Sequence, residues 1–241
     1  MPILLGIDGT GDAWSPGAER DRQYDIAFAN SFVRRICNGK SNAKYIRGPV
    51  AGGGGILEAV REGVDFIRER KRIFPNEKIL LTGYSRGAAE AVVVAERLNR
   101  LMPKIEVEAL MMFDCVDRAG DIDAEVIPTN VKFVKHVIRH PVARSRATFG
   151  NDGMNYNSPT IYHPIMKYMC THGGMGGCPW AKPADKKGTD FIDEGAAEAF
   201  FSPVRHGPVW SYTTNVTYDQ DVNVSKMVWQ DVQAFLNAHN F

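Results

Sequence analysis

Three features of the sequence predict an α/β fold, doubly wound around a mostly parallel sheet. Apolar runs alternate with helical patterns from residue 3 onward. One run, Ile79–Leu81, passes through Gly83-Tyr84-Ser85-Arg86-Gly87 straight into an alanine-rich helix. Side chains capable of chemistry stand just after the apolar runs. Strands and helices in alternation make a parallel sheet covered on both faces, and right-handed crossovers then fix the architecture. The 241 residues suffice for one large core and are short for two, so one domain spanning 1–241 is expected.

Taken in order, "ILLGI" reads as the first strand, and a polar, glycine-containing loop follows. "YDIAFANSFVRRICNG" has helical spacing and ends at Asn38-Gly39, as a single helix should. "AKYIRGPV" is a short strand, and Gly52 to Gly55 lead into the helix "ILEAVREGVDFIRERKRIF". The basic end of that helix, "RERKR", suits the C-terminal dipole. After the Ser85 strand and its helix come the buried strand "IEVEALMMFDCV" and, as the next element, "NVKFVKHVIRHPV". From about Thr148 to Val224 the chain is rich in Gly, Pro, Asn, Tyr and Met and has little periodicity. It holds one short strand, "TIYHPIMKYMC", and a helix-like piece, "DEGAAEAFF". So long an irregular stretch is expected to build a lid or binding face. An amphipathic helix, "VSKMVWQDVQAFLNAH", closes the chain with Met227, Val228, Val232, Phe235 and Leu236 toward the core.

Composition removes several classes of function. With 29 basic and 28 acidic residues the formal net charge is +1, so no general attraction to nucleic acid or an anionic membrane is expected. No stretch approaches the roughly 20 apolar residues of a membrane span. The N-terminus lacks the basic start and long apolar core of a signal peptide. The expectation is a protein that is cytoplasmic, or exported without a signal peptide, and that touches a lipid surface at most transiently. Cys37, Cys115, Cys170 and Cys178 form no dense framework and are expected as free thiols; Cys170 and Cys178 flank a glycine-rich loop and could pair where conditions oxidise.

In open α/β sheets ligands sit beyond the carboxyl ends of the strands. Those ends offer Asp8-Gly9-Thr10-Gly11, Ser85, Asp114 and His172. The chain order Ser, Asp, His is that of α/β hydrolases, and Gly83–Gly87 fits the G-x-S-x-G turn whose apex serine is held in a strained conformation. A serine hydroxyl needs a base, which His172 would supply, while Asp114 would fix the imidazole tautomer and stabilise the imidazolium. Charge on the attacked carbonyl oxygen needs fixed donors. The backbone N–H of Arg86 is one candidate, and another lies in the loop Gly9, Thr10, Gly11. Asp117 competes with Asp114 for the acid, and His136, His140, His163 and His206 compete with His172 for the base.

Other chemistries fit less well. "GIDGTGD" resembles the phosphate loop of actin-like and sugar kinases, but a second such loop is missing, since "MMFDCVDRAG" is a poor one. A haloacid-dehalogenase D-x-D-G-T needs an aspartate where Gly6 stands. Zinc on His163, Cys170, His172 and Cys178 lacks paired ligand spacing. Gly52 to Gly55 could cradle an anion but have no P-loop Lys beyond them.

The series "IDGTG", "GPVAGGGGILEAVREGVDFI", "LLTGYSRGAAEA", "MMFDCVD", "VKHVIRHPVARSRATF", "THGGMGG" and "VSKMVWQDVQAFL" resembles the bacterial and fungal α/β-hydrolase domain that includes the first class of type VI secretion phospholipase effectors. The resemblance covers most of the chain and is weakest from about Pro179 to Asn223. It implies a lipolytic Ser-His-Asp enzyme with Ser85, Asp114 and His172 at the matching positions and Asp8 supporting them. Two positions depart from the family. Gly174 stands where an acidic residue usually follows the histidine by two, and "IRHPVARSR" lacks an acidic residue found there.

The expected function is therefore a serine ester hydrolase that acts on a small-molecule or lipid acyl ester through an acyl-enzyme, with no metal or organic cofactor. Met154, Tyr156, Met166, Tyr168, Met169, Met175 and Trp180 could line an acyl pocket or be plain core. The alternatives are a non-catalytic interaction module on the same fold and, further off, a phosphotransferase.

Overall fold

The computed structural model describes residues 1–11, 17–50, 54–117, 122–147, 149–194 and 213–241. In chain order the first elements are β1 (Ile3–Ile7), α1 (Gly17–Ala27), α2 (Phe32–Cys37), β2 (Ala43–Ile46), α3 (Ile56–Ile73), β3 (Ile79–Tyr84) and α4 (Arg86–Asn99). Next come β4 (Val107–Phe113), β5 (Val126–Ile127), β6 (Val131–Arg139) and a 3-10 turn at Pro141–Ala143. The last are β7 (Asn155–Tyr156), β8 (Ile161–Tyr162), β9 (Met166–Tyr168), α5 (His172–Met175), β10 (Phe191–Asp193), β11 (Thr213–Thr217) and α6 (Tyr218–Ala238).

Seven strands form the main sheet in the order β2-β1-β3-β4-β6-β8, with β9 also paired to β6. Every one of these pairings is parallel, with Ile3 opposite Ile79, Leu80 opposite Ala109 and Val107 opposite Val131. Buried parallel strands need apolar side chains on both faces, and the runs supply them. Ile3, Leu5, Ile7, Ile79, Leu81 and Met112 pack under α3 and α4. Leu4, Leu80, Ala109, Met111 and Phe113 face α2 and α6. Strand order reverses direction between β1 and β3, the switch point at which a doubly wound sheet opens a crevice at its carboxyl edge. Both "IDGTG" and Ser85 sit there.

Gly87 makes that crevice narrow. A Cβ at Gly87 would stand 2.2 Å from the Asp8 carbonyl oxygen and 2.3 Å from that of Ile7, and one at Gly83 would stand 2.3 Å from the Gly87 carbonyl oxygen. The start of α4 therefore lies against the end of β1 with no room for a side chain between them.

Several elements differ from the sequence expectation. The predicted single helix from Tyr24 is two, because Ser31 leaves helical geometry and caps α2, accepting the Arg34 N–H at 3.0 Å. Between β4 and β6 the described residues hold the short β5 and no helix, and the β-branched Val131, Val134 and Val137 favour an extended, doubly buried strand in β6. "TIYHPIMKYMC" is two strands along the edge of β6. His163 N–H still bonds to the Val134 carbonyl at 2.9 Å, and Pro164, lacking a donor, breaks the ladder. α6 starts early, at Tyr218, where the Thr217 hydroxyl accepts the Gln220 N–H at 3.2 Å. Met227 faces solvent, 56% exposed, while Val228, Val232, Phe235 and Leu236 are buried as expected. Gly52, Gly53, His206 and most of "DEGAAEAFF" lie outside the described residues. No helix among the described residues is long and apolar enough to cross a membrane.

Gly87→Ala must push α4 off β1. It is expected to lower the unfolding free energy by about 2–4 kcal/mol, read from urea unfolding against wild type.

Candidate active site

Ser85 ends β3 and begins α4 with φ 55 and ψ −127, the strained backbone of a sharp strand-to-helix turn. Its N–H donates to the Phe113 carbonyl at 3.0 Å, and its own carbonyl accepts the Val116 N–H at 3.2 Å. The apex is thus tied on both sides to the end of β4. Asp114 there is the second non-glycine residue of the site with positive φ, at 46. This turns its carboxylate back over the sheet edge toward His172.

His172 closes the arrangement. Its Nε2 lies 2.9 Å from Ser85 Oγ, and its Nδ1 lies 2.6 Å from Asp114 Oδ2. The carboxylate selects the tautomer, with the Nδ1 proton donated to Asp114 and the Nε2 lone pair left to accept the serine hydroxyl. Of the sequence candidates, Ser85, Asp114 and His172 are brought together, and their rivals are engaged elsewhere. Asp117 braces a loop, accepting the Ala124 N–H at 3.1 Å while its own N–H donates to Asp152. His136 accepts the Cys115 N–H at 3.1 Å and pairs with Tyr162, and burial pulls its pKa down to about 4. His140 caps the 3-10 turn. His163 packs among Phe133, Phe235 and His239. No group of three or more His, Cys, Asp or Glu among the described residues could hold a metal ion. All four cysteines are free thiols, and Cys170 Sγ donates to Asp221 Oδ1 at 3.1 Å.

Burial would raise the Asp114 carboxyl, but the Arg139 guanidinium above all, then His172 and Asn151, hold it well below the usual carboxylate range. Arg139 is the residue that sequence reasoning missed. Its Nη1 is 2.5 Å from Asp114 Oδ2, and its other nitrogens donate to the carbonyls of Ser145, Arg146 and Gly150. Burial also lowers the His172 pKa below its usual value, with Asp114 opposing and Arg139 and Arg146 assisting. The imidazole is therefore neutral, and able to accept a proton, at pH 7.

The structure gives a physical account of Gly174 and of the segment "IRHPVARSR". A Cβ at Gly174 would lie 2.4 Å from Asp221 Oδ1, so an acidic side chain has no space there. Asp221, from α6, puts its own carboxylate in that place. It accepts the N–H of Thr171 at 2.8 Å, the Thr171 hydroxyl at 2.9 Å and the Trp180 N–H at 3.0 Å. "IRHPVARSR" contributes a cation to the site, Arg139, and the Ser145 hydroxyl, which accepts the His172 N–H at 2.8 Å.

The Asp8 loop is more occupied than expected. Asp8 accepts the N–H of Gly9, the hydroxyl of Ser31 and, at 2.9 Å, the hydroxyl of Tyr45. The Gly9 N–H is thereby engaged, and the Gly11 N–H donates to the Pro49 carbonyl at 3.1 Å. These two expected oxyanion donors are drawn away from the site. Thr10 lines the cleft with His172, and its buried hydroxyl has no partner among the described residues.

That cleft has a volume of about 1280 Å³ and runs from Thr10, Tyr84 and His172 to Trp180 and Trp229. Of the proposed acyl-pocket residues only Trp180 lines it. Met175 is core, and Tyr156 and Met166 are exposed on the surface.

No protein-family model matches the chain, and no curated protein matches it. Solved structures similar to it include a cutinase-like protein from Cryptococcus sp., at 16% identity and TM-score 0.35 over 73% of this chain and 78% of that one. Lysin B from Mycobacteriophage D29 has 16% identity and TM-score 0.32 over 73% and 66%. An acetyl xylan esterase has 12% identity and TM-score 0.33 over 99% of both chains. Likenesses this distant carry no inference about activity. The α/β-hydrolase-like fold is carried by the strand order and the turn at Ser85.

Two outcomes are expected. Burial pushes the Asp8 carboxyl up to about 6 against its hydrogen bonds to Ser31, Gly9 and Tyr45, so its side-chain carboxyl carbon should titrate by NMR near that pH. Because this folded value lies above the unfolded one, its contribution to stability is full below about pH 4 and lost as pH rises through 6. Arg139→Met leaves Asp114 as an uncompensated buried charge and should cost about 3–5 kcal/mol in urea unfolding.

Proposed function

We propose that this chain is a serine ester hydrolase acting on acyl esters through an acyl-enzyme, with Ser85 as nucleophile, His172 as base and Asp114 as the acid that orients it. The single observation that carries the reading is the unbroken hydrogen-bonded relay from Ser85 Oγ through both nitrogens of His172 to a fully buried Asp114.

In this reading Ser85 Oγ attacks the ester carbonyl carbon as His172 Nε2 takes its proton. The imidazolium is stabilised by Asp114, which stays ionised because Arg139 balances it. Negative charge on the former carbonyl oxygen is met by the Arg86 N–H at the start of α4 and by Thr10, whose hydroxyl has no partner among the described residues. His172 then protonates the departing alcohol, leaving Ser85 acylated. Water, deprotonated by the same nitrogen, releases the acid and restores the serine. No metal or organic cofactor is needed at any step. A lipid ester, as the sequence resemblance implies, fits a cleft whose walls include Ile26, Phe32, Trp180 and Trp229.

The direct test is intact mass after incubation with a fluorophosphonate. One adduct is expected on wild type and none on Ser85→Ala; no adduct on folded wild type defeats the proposal. With a short acyl ester, Ser85→Ala should lose about 10⁴-fold or more in kcat. The acidic limb of the kcat/KM profile should have its midpoint below 6.5, because activity needs neutral His172 and burial lowers its pKa. A limb centred above 7 would contradict this assignment of the base.

A further inference from the structure

We propose that Glu194 is a positioning residue for the base: its carboxylate orients the Ser145 hydroxyl, which together with the Tyr84 hydroxyl holds the His172 peptide from both sides. This deepens the hydrolase reading and rests on it for the word base, while the positioning itself stands on hydrogen bonds that need no substrate.

The imidazole of His172 is fixed at its two nitrogens by Ser85 and Asp114, and a relay of such short contacts needs its backbone held as well. Both backbone polar groups of His172 are taken by side chains from distant parts of the chain. Its N–H donates to Ser145 Oγ at 2.8 Å, and its carbonyl accepts the Tyr84 hydroxyl at 2.9 Å. The Tyr84 ring lies 5.0 Å from the imidazole, and the edge-on Phe149 ring lies 5.1 Å away. Space for Tyr84 comes from two glycines, since a Cβ at Gly9 would stand 2.5 Å from its ring and one at Gly176 would stand 2.7 Å from it.

Ser145 presents a lone pair to His172 because its proton is claimed elsewhere. A hydroxyl has one proton and two lone pairs, and the Ser145 proton goes to Glu194 Oε1 at 2.7 Å. The other carboxylate oxygen of Glu194 accepts the Arg146 N–H at 3.0 Å, and the Ser145 carbonyl accepts from Arg139 Nε at 2.8 Å. Arg144 and Arg146, on either side of Ser145, both have positive φ, 56 and 42, so the chain takes an unfavourable bend twice to bring this hydroxyl inward. Ser145 is 2% exposed and Glu194 7%. Burying a carboxylate is costly unless its oxygens are bonded, and here those bonds go to the loop that seats the base. A glutamine at 194 fills the same space with one acceptor oxygen. The Arg146 N–H cannot reverse, so the amide nitrogen would face Ser145 and displace the hydroxyl proton that now points at Glu194.

The test is a double-variant cycle on the rate constant of fluorophosphonate labelling at Ser85, measured well below the unfolding temperature of every variant so that lost stability alone leaves it unchanged. In parallel, the His172 Nδ1 proton is followed by NMR in protein labelled at histidine nitrogens and assigned by its loss in His172→Gln. Glu194→Gln and Tyr84→Phe are each expected to slow labelling about tenfold, and Ser145→Ala about 10- to 100-fold. The combined Glu194→Gln, Ser145→Ala variant should stay within about twofold of Ser145→Ala alone, because the carboxylate acts through the hydroxyl. The Nδ1 resonance should shift or broaden in each single variant. Labelling of Glu194→Gln within about twofold of wild type, or losses that multiply in the combined variant, overturns the proposal. If Ser145→Ala does not fold, Glu194→Gln and Tyr84→Phe carry the same two readouts. If folded wild type does not react with the probe, the hydrolase reading fails by itself and the resonance decides the positioning: a shift in Glu194→Gln upholds it, and an unchanged signal overturns it.

Discussion

The buried pairing of Arg139 with Asp114 is the interaction on which the site depends. One guanidinium at the end of β6 meets the carboxylate at the end of β4 and binds three carbonyls of the loop that follows β6. That loop carries Ser145, whose hydroxyl links Glu194 on one side to the backbone of His172 on the other. A cation under the sheet edge thus keeps Asp114 charged and fixes where His172 stands. An unpaired carboxylate in this place would protonate or collapse the edge, so the ion pair is a condition of the relay existing at all.

The second constraint is steric. Gly83 and Gly87 let α4 start against β1, and this closeness puts Ser85 at an apex with positive φ. Asp114 is bent in the same unusual sense one strand away. Two strained residues, each costing on the order of 1–3 kcal/mol, persist because β1, β3, β4 and β6 are locked by continuous parallel pairing on both sides of them. The tolerance for strain at the site comes from the uniformity of the sheet beneath it.

Much of this was readable in one dimension. β1, β3 with α4, and β4 announce themselves because a fully buried strand is apolar at every position, and because glycine spacing around Ser85 has a steric meaning. The residues at strand ends led to Ser85, Asp114 and His172. What stayed hidden depends on pairing between distant parts of the chain. Arg139 lies at the end of a run that also holds Lys132 and Lys135, and nothing local marks it as the one that turns inward; attention to acids and histidines at strand ends passed over a cation in the same kind of position. Asp221 looks like an ordinary acidic residue in the first turn of a helix, and its bonds to Thr171 and Trp180 bridge about fifty and forty residues. The break between α1 and α2 was obscured because an alanine- and phenylalanine-containing stretch keeps helical spacing across Ser31, whose attraction to Asp8 is a tertiary matter. Residue type alone does not say whether these methionines and tyrosines line a pocket or are plain core, and for Tyr156, Met166 and Tyr168 the side of the backbone is set by β7 and β9, too short to show a period.

Asp221 also gives the site a position in time. Ser85, Asp114, Arg139 and His172 are all synthesised before α6, yet the loop bearing His172 is anchored by Asp221 through Thr171 and by Ser225 through the Gly174 carbonyl. A growing chain therefore contains every reactive group well before it can hold them in register. Docking of α6 is the event that brings the relay into register.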